Sequence, residues 1–156
     1  MIDYVVQHEG PIQNDLLAKR VARAHGFKRT GRVIRDRVKK LTARQCKKTR
    51  DRGSTFIWPE GTDPETWDEF RAPESKNDYR RPEDIVSQEL AVLAREAIVS
   101  SPDDPARYMS KRLGLARLTA QTRRYLESFI EDTMDKSDEN PLSWAWRTIK
   151  DIGKHH

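Results

Sequence analysis

Apolar positions near the start of the chain recur at helical spacing. Residues 2–8 carry apolar side chains on one side of a short helix, and Gly10-Pro11 ends it, because proline cannot continue the hydrogen-bond ladder. Ile12 is a lone apolar residue that is typical of a very short strand. A second helix is predicted from about Asp15 to His25 with Asn14 as its N-cap, and its apolar face is Leu16, Leu17, Val21 and Ala24.

A third helix and a hairpin follow in the pattern. Gly26 stops the second helix, and Phe27 supplies the hydrophobic contact that accompanies a glycine C-cap. The third helix is predicted over residues 31–44, with Thr30 as its N-cap and an inner face of Ile34, Val38 and Leu41. The stretches "QCKKTR", "DRGS" and "TFIWP" predict strand, tight turn and strand, with Gly53 at a positive φ. Helix, short strand, helix, turn, helix and hairpin is the order of a winged helix.

The pattern changes after residue 59. Residues 60–81 are rich in proline and acidic side chains, which predicts an extended connector. Its aromatic residues Trp67, Phe70 and Tyr79 are too apolar for a free linker, so we expect them to fasten it to a neighbouring domain. A further helix is predicted from Pro82 to about Val99, with an apolar stripe at Ile85, Leu90, Leu93, Ala94 and Ile98.

Residues 82–134 partly repeat the beginning of the chain and predict a second, degenerate helix-turn-helix. With four residues deleted, the alignment matches Lys19-Arg20 to Lys111-Arg112, Gly26 to Gly114, Arg29 to Arg117, Arg35 to Arg123 and Val38 to Leu126. A C-terminal turn and helix follow, in which Trp144 and Trp146 form either core or an exposed surface. The predicted fold class is mainly α with a small β-hairpin (α+β), divided into a winged-helix domain 1–59, a connector 60–81 and a helical second half 82–156.

Composition limits the classes of protein that fit. The 156 residues are 35% apolar with a mean hydropathy of −0.91, which allows one ordinary domain or two very small ones around a thin core. No stretch approaches the ~20 apolar residues of a membrane span, and the start lacks the build of a signal peptide, so we expect a cytoplasmic protein. A single cysteine, Cys46, excludes an internal disulfide.

The charge is unevenly distributed. Residues 1–58 hold 15 Lys/Arg against 5 Asp/Glu, a net charge of +10, while residues 59–79 carry −5 and residues 80–156 are neutral. A compact segment of this charge attracts polyanions, although the same charge also keeps a small domain soluble.

Motifs for catalysis are missing from the sequence. Gly26 and Gly31 superficially suggest a phosphate-binding loop, but Arg32 and Val33 stand where that loop needs lysine and a hydroxyl residue. The carboxylates are scattered, His8 and His25 each stand alone, and Cys and His show no metal-ligand spacing. We therefore expect no enzyme activity, no cofactor and no metal.

The stretch "VVQHEGPIQNDLLAKRVARAHGFKRTGRVIRDRV", followed by "GSTFIWP", resembles a bacterial family of unknown function. That family is found mainly as a C-terminal domain of large DNA helicase-related proteins, which resemble superfamily 1 helicases. The resemblance rests on Glu9-Gly10-Pro11-Ile12, Asp15-Leu16-Leu17, Arg20, Ala24, Gly26, Arg29, Gly31, Ile34 and the Phe56–Trp58 pair. The family often has a histidine where this chain has Gln13, so any role of that histidine does not transfer. The resemblance implies an accessory part of a helicase-like or nuclease-like parent protein, without motor activity here.

The predicted helix-turn-helix defines a candidate nucleic-acid site. In such motifs the second helix enters the major groove, and arginine suits guanine edges while lysine suits phosphate. The candidate residues are Arg32, Arg35 and Lys39 on that helix, Lys28 and Arg29 in the turn, and Lys47, Lys48, Arg50 and Arg52 in the wing. The expected partner is DNA, with RNA as the alternative. The competing hypothesis is a protein-docking or oligomerisation module that holds other domains of the parent protein.

Overall fold

The computed structural model describes residues 1–138, which form six α-helices and three short strands. The helices are α1 (Ile2–Glu9), α2 (Asn14–Ala24), α3 (Arg32–Gln45), α4 (Ser87–Ser100), α5 (Pro105–Arg112) and α6 (Ala120–Asp138). The strands are β1 (Ile12–Gln13), β2 (Lys47–Asp51) and β3 (Ser54–Trp58), and short 3₁₀ turns lie at Lys76–Asp78 and Pro82–Asp84. The predicted class, mainly α with a small antiparallel sheet, is confirmed. The predicted C-terminal turn and helix with Trp144 and Trp146 lie outside the described residues.

The sheet is antiparallel throughout, with the strand order β1-β3-β2. Ile12 pairs with Ile57, and Thr49 pairs with Phe56. The β2–β3 turn has positive φ at both central residues, 48° at Arg52 and 79° at Gly53, which is the signature of a type I′ hairpin turn. The predicted hairpin therefore forms, and the lone apolar Ile12 adds a third strand to it.

The described residues divide into two compact units. The first holds Met1–Trp67 and Glu83–Val86, and the second holds Asp68–Pro82 and the described residues from Ser87 onward. The division of the chain into 1–59, 60–81 and 82–156 stays a prediction.

The first unit has a core on each face of its sheet. On one face Ile12 and Ile57 pack with residues of α1, α2 and α3 in a cluster completed by Val5, Val6, Leu17, Ala18, Val21 and Val38. On the other face Phe56 and Trp58 pack with Val86, and Trp67 lies edge-on to Trp58 with 5.6 Å between the ring centroids. The expectation that Trp67 fastens its segment to a neighbouring domain is confirmed within this unit.

The second unit packs α4, α5 and α6 on one another. Its core is lined by Leu90, Leu93, Ala94, Ala97, Met109, Leu113 and Leu126, all at most 2% exposed. The guanidinium carbon of Arg112 lies 5.5 Å from the centroid of the Phe70 ring. Tyr79, in the same unit, is 40% exposed.

Several helix ends differ from their predicted positions. Asn14 is the first residue of α2, and the N-cap is Gln13, whose Oε1 accepts a hydrogen bond from the Leu16 N–H at 2.9 Å. Gly31, and not Thr30, is the N-cap of α3. The helix predicted from Pro82 begins at Ser87, because Pro82–Asp84 is a 3₁₀ turn and Val86 is drawn into the Trp58 cluster.

Two details of the predicted faces are also wrong. Ala24 and Leu41 are exposed, and Ala18, Ala22 and Thr42 are buried instead.

The internal repeat aligns without the predicted four-residue deletion. Lys111-Arg112 end α5 directly before its turn, whereas Lys19-Arg20 lie in the middle of α2.

Candidate nucleic-acid interface

Helix α3 packs against the rest of the first unit through a narrow stripe of side chains. Val38 is 3% exposed, Thr42 is fully buried, and Ile34 is half-buried against the same cluster. Thr42 satisfies its buried hydroxyl by donating to the Val38 carbonyl at 2.9 Å. Because only this stripe is covered, the rest of the helix circumference faces solvent.

The solvent face of α3 carries the three predicted cations. The side chain of Arg32 is 92% exposed, and Arg35 and Lys39 are exposed one and two turns later. Arg32 lies 3.7 Å from Asp36, an exposed pair that contributes little, and Arg35 donates to the Thr30 carbonyl at 3.3 Å. Residues at these spacings share one helix face, so the three cations form a row along α3.

The turn before α3 has a defined geometry. Gly26 adopts φ +80°, its N–H donates to the Arg23 carbonyl at 3.0 Å, and the Phe27 N–H donates to the Ala22 carbonyl at 3.0 Å. These two bonds are a Schellman motif, so the predicted glycine stop is confirmed. Lys28 and Arg29 follow it with exposed side chains, and no ion pair of either is observed within residues 1–138.

The four predicted wing residues do not share one face. Along β2, Lys48 and Arg50 point to one side of the sheet, and Lys47 points to the other side. Lys47 Nζ lies 4.0 Å from a carboxylate oxygen of Asp63. Arg52, in the hairpin turn, pairs with Asp51 at 3.2 Å and donates to the Ile85 carbonyl at 3.4 Å.

The structure thus separates two groups among the nine predicted residues, with Arg32 outside both because its exposed side chain lies 3.7 Å from Asp36. Lys47 and Arg52 lie beside acidic groups within their own unit, and Arg52 also donates to the Ile85 carbonyl. The residues for which no ion pair is observed in the described part of the chain are Lys28, Arg29, Arg35, Lys39, Lys48 and Arg50. This second group has its cationic side chains available for a ligand.

The predicted site residues do not include the remaining cations of α3. Arg37, Lys40 and Arg44 are exposed as well, and Arg44 lies in the last turn, where the helix dipole favours a positive charge. The signal was present, since three more basic residues lie at helical spacing. It was missed because the narrowness of the buried stripe is a property of the tertiary packing.

Arg20 has a structural role. Its Nε donates to Glu9 Oε2 at 2.9 Å, and the Arg20 side chain is only 12% exposed. The pair joins α2 to the end of α1, so Arg20 holds these two helices together.

A groove between α1, α2 and α3 was also missed from the sequence. It encloses about 540 Å³, and its mainly apolar lining includes Met1, Ile2, Phe27, Ile34, Val38 and Leu41. Phe27 is 57% exposed and Leu41 is 41% exposed, so the groove leaves large apolar side chains in contact with water. Arg37 and His25 are the basic residues of the lining.

Cys46, the C-cap residue of α3, is half-buried. Burial raises the pKa of the Cys46 thiol, and the nearby carboxylate of Asp3 raises it further, so the thiol stays protonated at neutral pH. Within residues 1–138 no three His, Cys, Asp or Glu side chains gather closely enough to hold a metal ion. None of the helices in that range has the length and apolar content of a membrane span.

Comparison with known proteins relates residues 1–36 to a family model. No curated protein and no solved structure matches the chain. Residues 1–36, which run from α1 to the first turns of α3, match the model of a family described as a protein of unknown function (DUF3320).

Proposed function

We propose that this chain is a nucleic-acid-binding module, with DNA as its ligand, that serves a helicase-like or nuclease-like parent protein and has no catalytic activity of its own. The observation that carries the proposal is the row formed by Arg32, Arg35 and Lys39. These cations lie on a helix that follows a Schellman turn and is covered along only one narrow stripe.

The arrangement of the first unit supports a winged-helix mode of binding. Helix α2, its turn and helix α3 precede a hairpin whose β3 also pairs with β1. In a helix-turn-helix of this kind the second helix meets the major groove, where arginine can donate two hydrogen bonds to a guanine. Lys28 and Arg29 in the turn, and Lys48 and Arg50 on one face of β2, then supply phosphate contacts that position the protein.

The binding energy of such an interface is mainly electrostatic. Each cation that neutralises a phosphate releases a counterion, so affinity falls as salt rises. The module would hold nucleic acid for the catalytic domains of its parent and would not itself need to read sequence strongly.

A pair of double variants tests the proposal. Arg35→Glu/Lys39→Glu reverses two charges on the candidate face, and Lys19→Glu/Arg23→Glu reverses two exposed charges on α2 with the same change in net charge. The first variant should weaken duplex binding roughly 50-fold at ~0.1 M salt, since each cation removed from the DNA interface lowers the salt slope by about 0.9, a total of about 1.8. The second should retain most of its affinity. A folded first variant with wild-type affinity would overturn the assignment.

A second candidate function is the docking of a protein partner, which the apolar groove favours. Exposed Phe27 and Leu41 form a patch that a further domain of the parent, or a second copy of the chain, could cover. Sedimentation over a wide concentration range tests the second copy, and Phe27→Ser/Leu41→Ser is the matched variant. Association that the variant abolishes supports docking, and a strictly monomeric chain that also ignores the parent's other domains rejects it.

A further inference from the structure

The second unit repeats the turn that precedes α3. Gly114 has φ +75°, its N–H donates to the Lys111 carbonyl at 3.1 Å, and the Leu115 N–H donates to the Ser110 carbonyl at 3.0 Å. These are the two bonds of a Schellman motif at the end of α5, as they are at the end of α2.

The helix after each turn is placed in the same way. Helix α3 begins six residues after Gly26, and α6 begins six residues after Gly114. Val38 and Leu126, each twelve residues after its glycine, are both buried, at 3% and 0% exposure. Helix α5, its turn and α6 therefore match α2, its turn and α3 in local geometry and in the residue that anchors the second helix.

Carboxylates of the second unit neutralise two of its arginines. Asp104 accepts from both terminal nitrogens of Arg123, at 2.8 and 3.1 Å. Glu96 accepts from Arg112 Nε at 2.9 Å and from the Tyr108 hydroxyl at 2.6 Å. Arg123 and Arg112 are thereby engaged within their own unit.

Three other cations of this helix-turn-helix are exposed and have no ion pair among residues 1–138. They are Lys111 at the end of α5, Arg117 in the turn and Arg124 in the second turn of α6. Gln121 is exposed one turn before Arg124, on the same helix face. Further along α6, Glu131, Asp132 and Asp135 are exposed and acidic, so only the first turns of the helix and the preceding turn can face a polyanion.

We infer that α5, its turn and the start of α6 form a second nucleic-acid contact, which binds backbone phosphates through Lys111, Arg117 and Arg124. The inference rests on the proposed function, because it assigns a second part of the chain to the same ligand. It makes the module bivalent, so each contact raises the effective concentration of the other.

The test uses the full chain and a labelled duplex of about 30 base pairs. Arg117→Glu/Arg124→Glu should lower the slope of log affinity against log salt by about 1.8 and weaken binding roughly 50-fold at ~0.1 M salt. The matched control is Lys76→Glu/Arg95→Glu, which reverses two exposed cations elsewhere in the same unit and should leave both quantities near wild type.

The outcomes separate this inference from the proposed function. If Arg117→Glu/Arg124→Glu binds like wild type while Arg35→Glu/Lys39→Glu does not, the second contact is rejected and the first stands. If the wild-type chain does not bind even at low salt, both are rejected. Should the reversal variant fail to fold, Arg117→Gln/Arg124→Gln removes the same charges with less repulsion and is expected to lower the salt slope by the same amount.

Discussion

Arg80 and Glu89 form a two-pronged ion pair in the interior of the second unit. Their atoms lie 2.7 and 3.0 Å apart, and the side chains are 3% and 1% exposed. Arg80 also donates to the Arg71 carbonyl at 2.7 Å, and Glu89 accepts from the Arg71 N–H at 3.2 Å. The pair therefore fastens the segment around residue 71 to the start of α4.

Breaking this pair should destabilise the second unit strongly. Glu89→Gln leaves a buried guanidinium without its counter-charge, which costs about 3–5 kcal/mol in comparable sites. The free energy of unfolding in urea, followed by circular dichroism, measures the loss. Glu131→Gln, at an exposed position of α6, is the control and should change that energy by less than about 0.5 kcal/mol. An equal effect of the two substitutions would contradict the structural role.

Asp104 and Glu96 should make stability depend on pH. Hydrogen bonds from Arg123 hold the pKa of Asp104 below its ordinary 3.8, and the hydrogen bond from Tyr108, assisted by Arg112, holds the pKa of Glu96 below its ordinary 4.5. A carboxyl with a lower pKa in the folded state stabilises the fold above its unfolded pKa and loses that effect as pH falls through the folded value. Stability should therefore fall below about pH 4.5.

Two substitutions assign that loss to these carboxyls. Asp104→Asn keeps an oxygen that can cap α5 but removes the charge, so the variant should lose less stability between pH 5 and pH 3 than wild type, by urea titration. Glu96→Gln should act in the same direction. Asp103→Asn, an exposed neighbour without an ion pair among the described residues, should retain the wild-type pH dependence.

The two turn glycines should tolerate alanine differently. Gly26→Ala places a side chain in the left-handed region at φ +80° and should cost about 1–2 kcal/mol. Gly114→Ala should cost more, because its Cβ would also lie 3.2 Å from Pro73 Cγ. Gly26→Asn is the control, since asparagine tolerates this conformation and should be milder. If all three variants were as stable as the wild-type chain, the turns would not require positive φ.

Trp67 should stabilise the first unit by covering one face of its sheet. Trp67→Ala uncovers Trp58, which is 1% exposed, and the expected loss in the free energy of unfolding is roughly 2 kcal/mol, less than for a fully buried tryptophan. Tyr79→Ala, at a 40% exposed position, is the control for Trp67→Ala and should cost much less. A loss at Tyr79 as large as at Trp67 would argue against the covering role.

The Trp58 indole also needs its hydrogen-bond acceptor. Thr49→Val removes the hydroxyl that accepts from Trp58 Nε1–H at 2.8 Å, and the free energy of unfolding should fall by about 1–3 kcal/mol.

Local signals explain why the first 58 residues were largely predictable. The helical spacing of apolar residues, the stop at Gly26 and the turn at Gly53 each depend on neighbours in sequence, and each appears in the structure. The errors lie where tertiary contacts intervene. Gln13 replaces Asn14 as the N-cap because β1 extends through residue 13, and Val86 stays out of α4 because it packs with Phe56 and Trp58.

The candidate site was predictable in part for the same reason. The basic residues of α3 were identifiable from spacing, but the pairing of Lys47 with Asp63 and of Arg52 with Asp51 and Ile85 depends on the folded chain. The buried Arg80–Glu89 pair could not be predicted from the sequence, because charged side chains are normally expected on the surface. The shared turn geometry of Gly26 and Gly114 was visible as a weak repeat, and the structure gave it its correct alignment.

The most direct test of the central claim is fluorescence anisotropy of the wild-type chain with labelled single-stranded and duplex DNA over a range of salt concentrations. The proposed interface predicts that the logarithm of the association constant falls linearly with the logarithm of the salt concentration. The slope should be about −0.9 for each contacted phosphate on duplex DNA. The absence of binding at low salt would mean that the basic face of α3 is ordinary surface charge, and the apolar groove would then become the functional site to pursue.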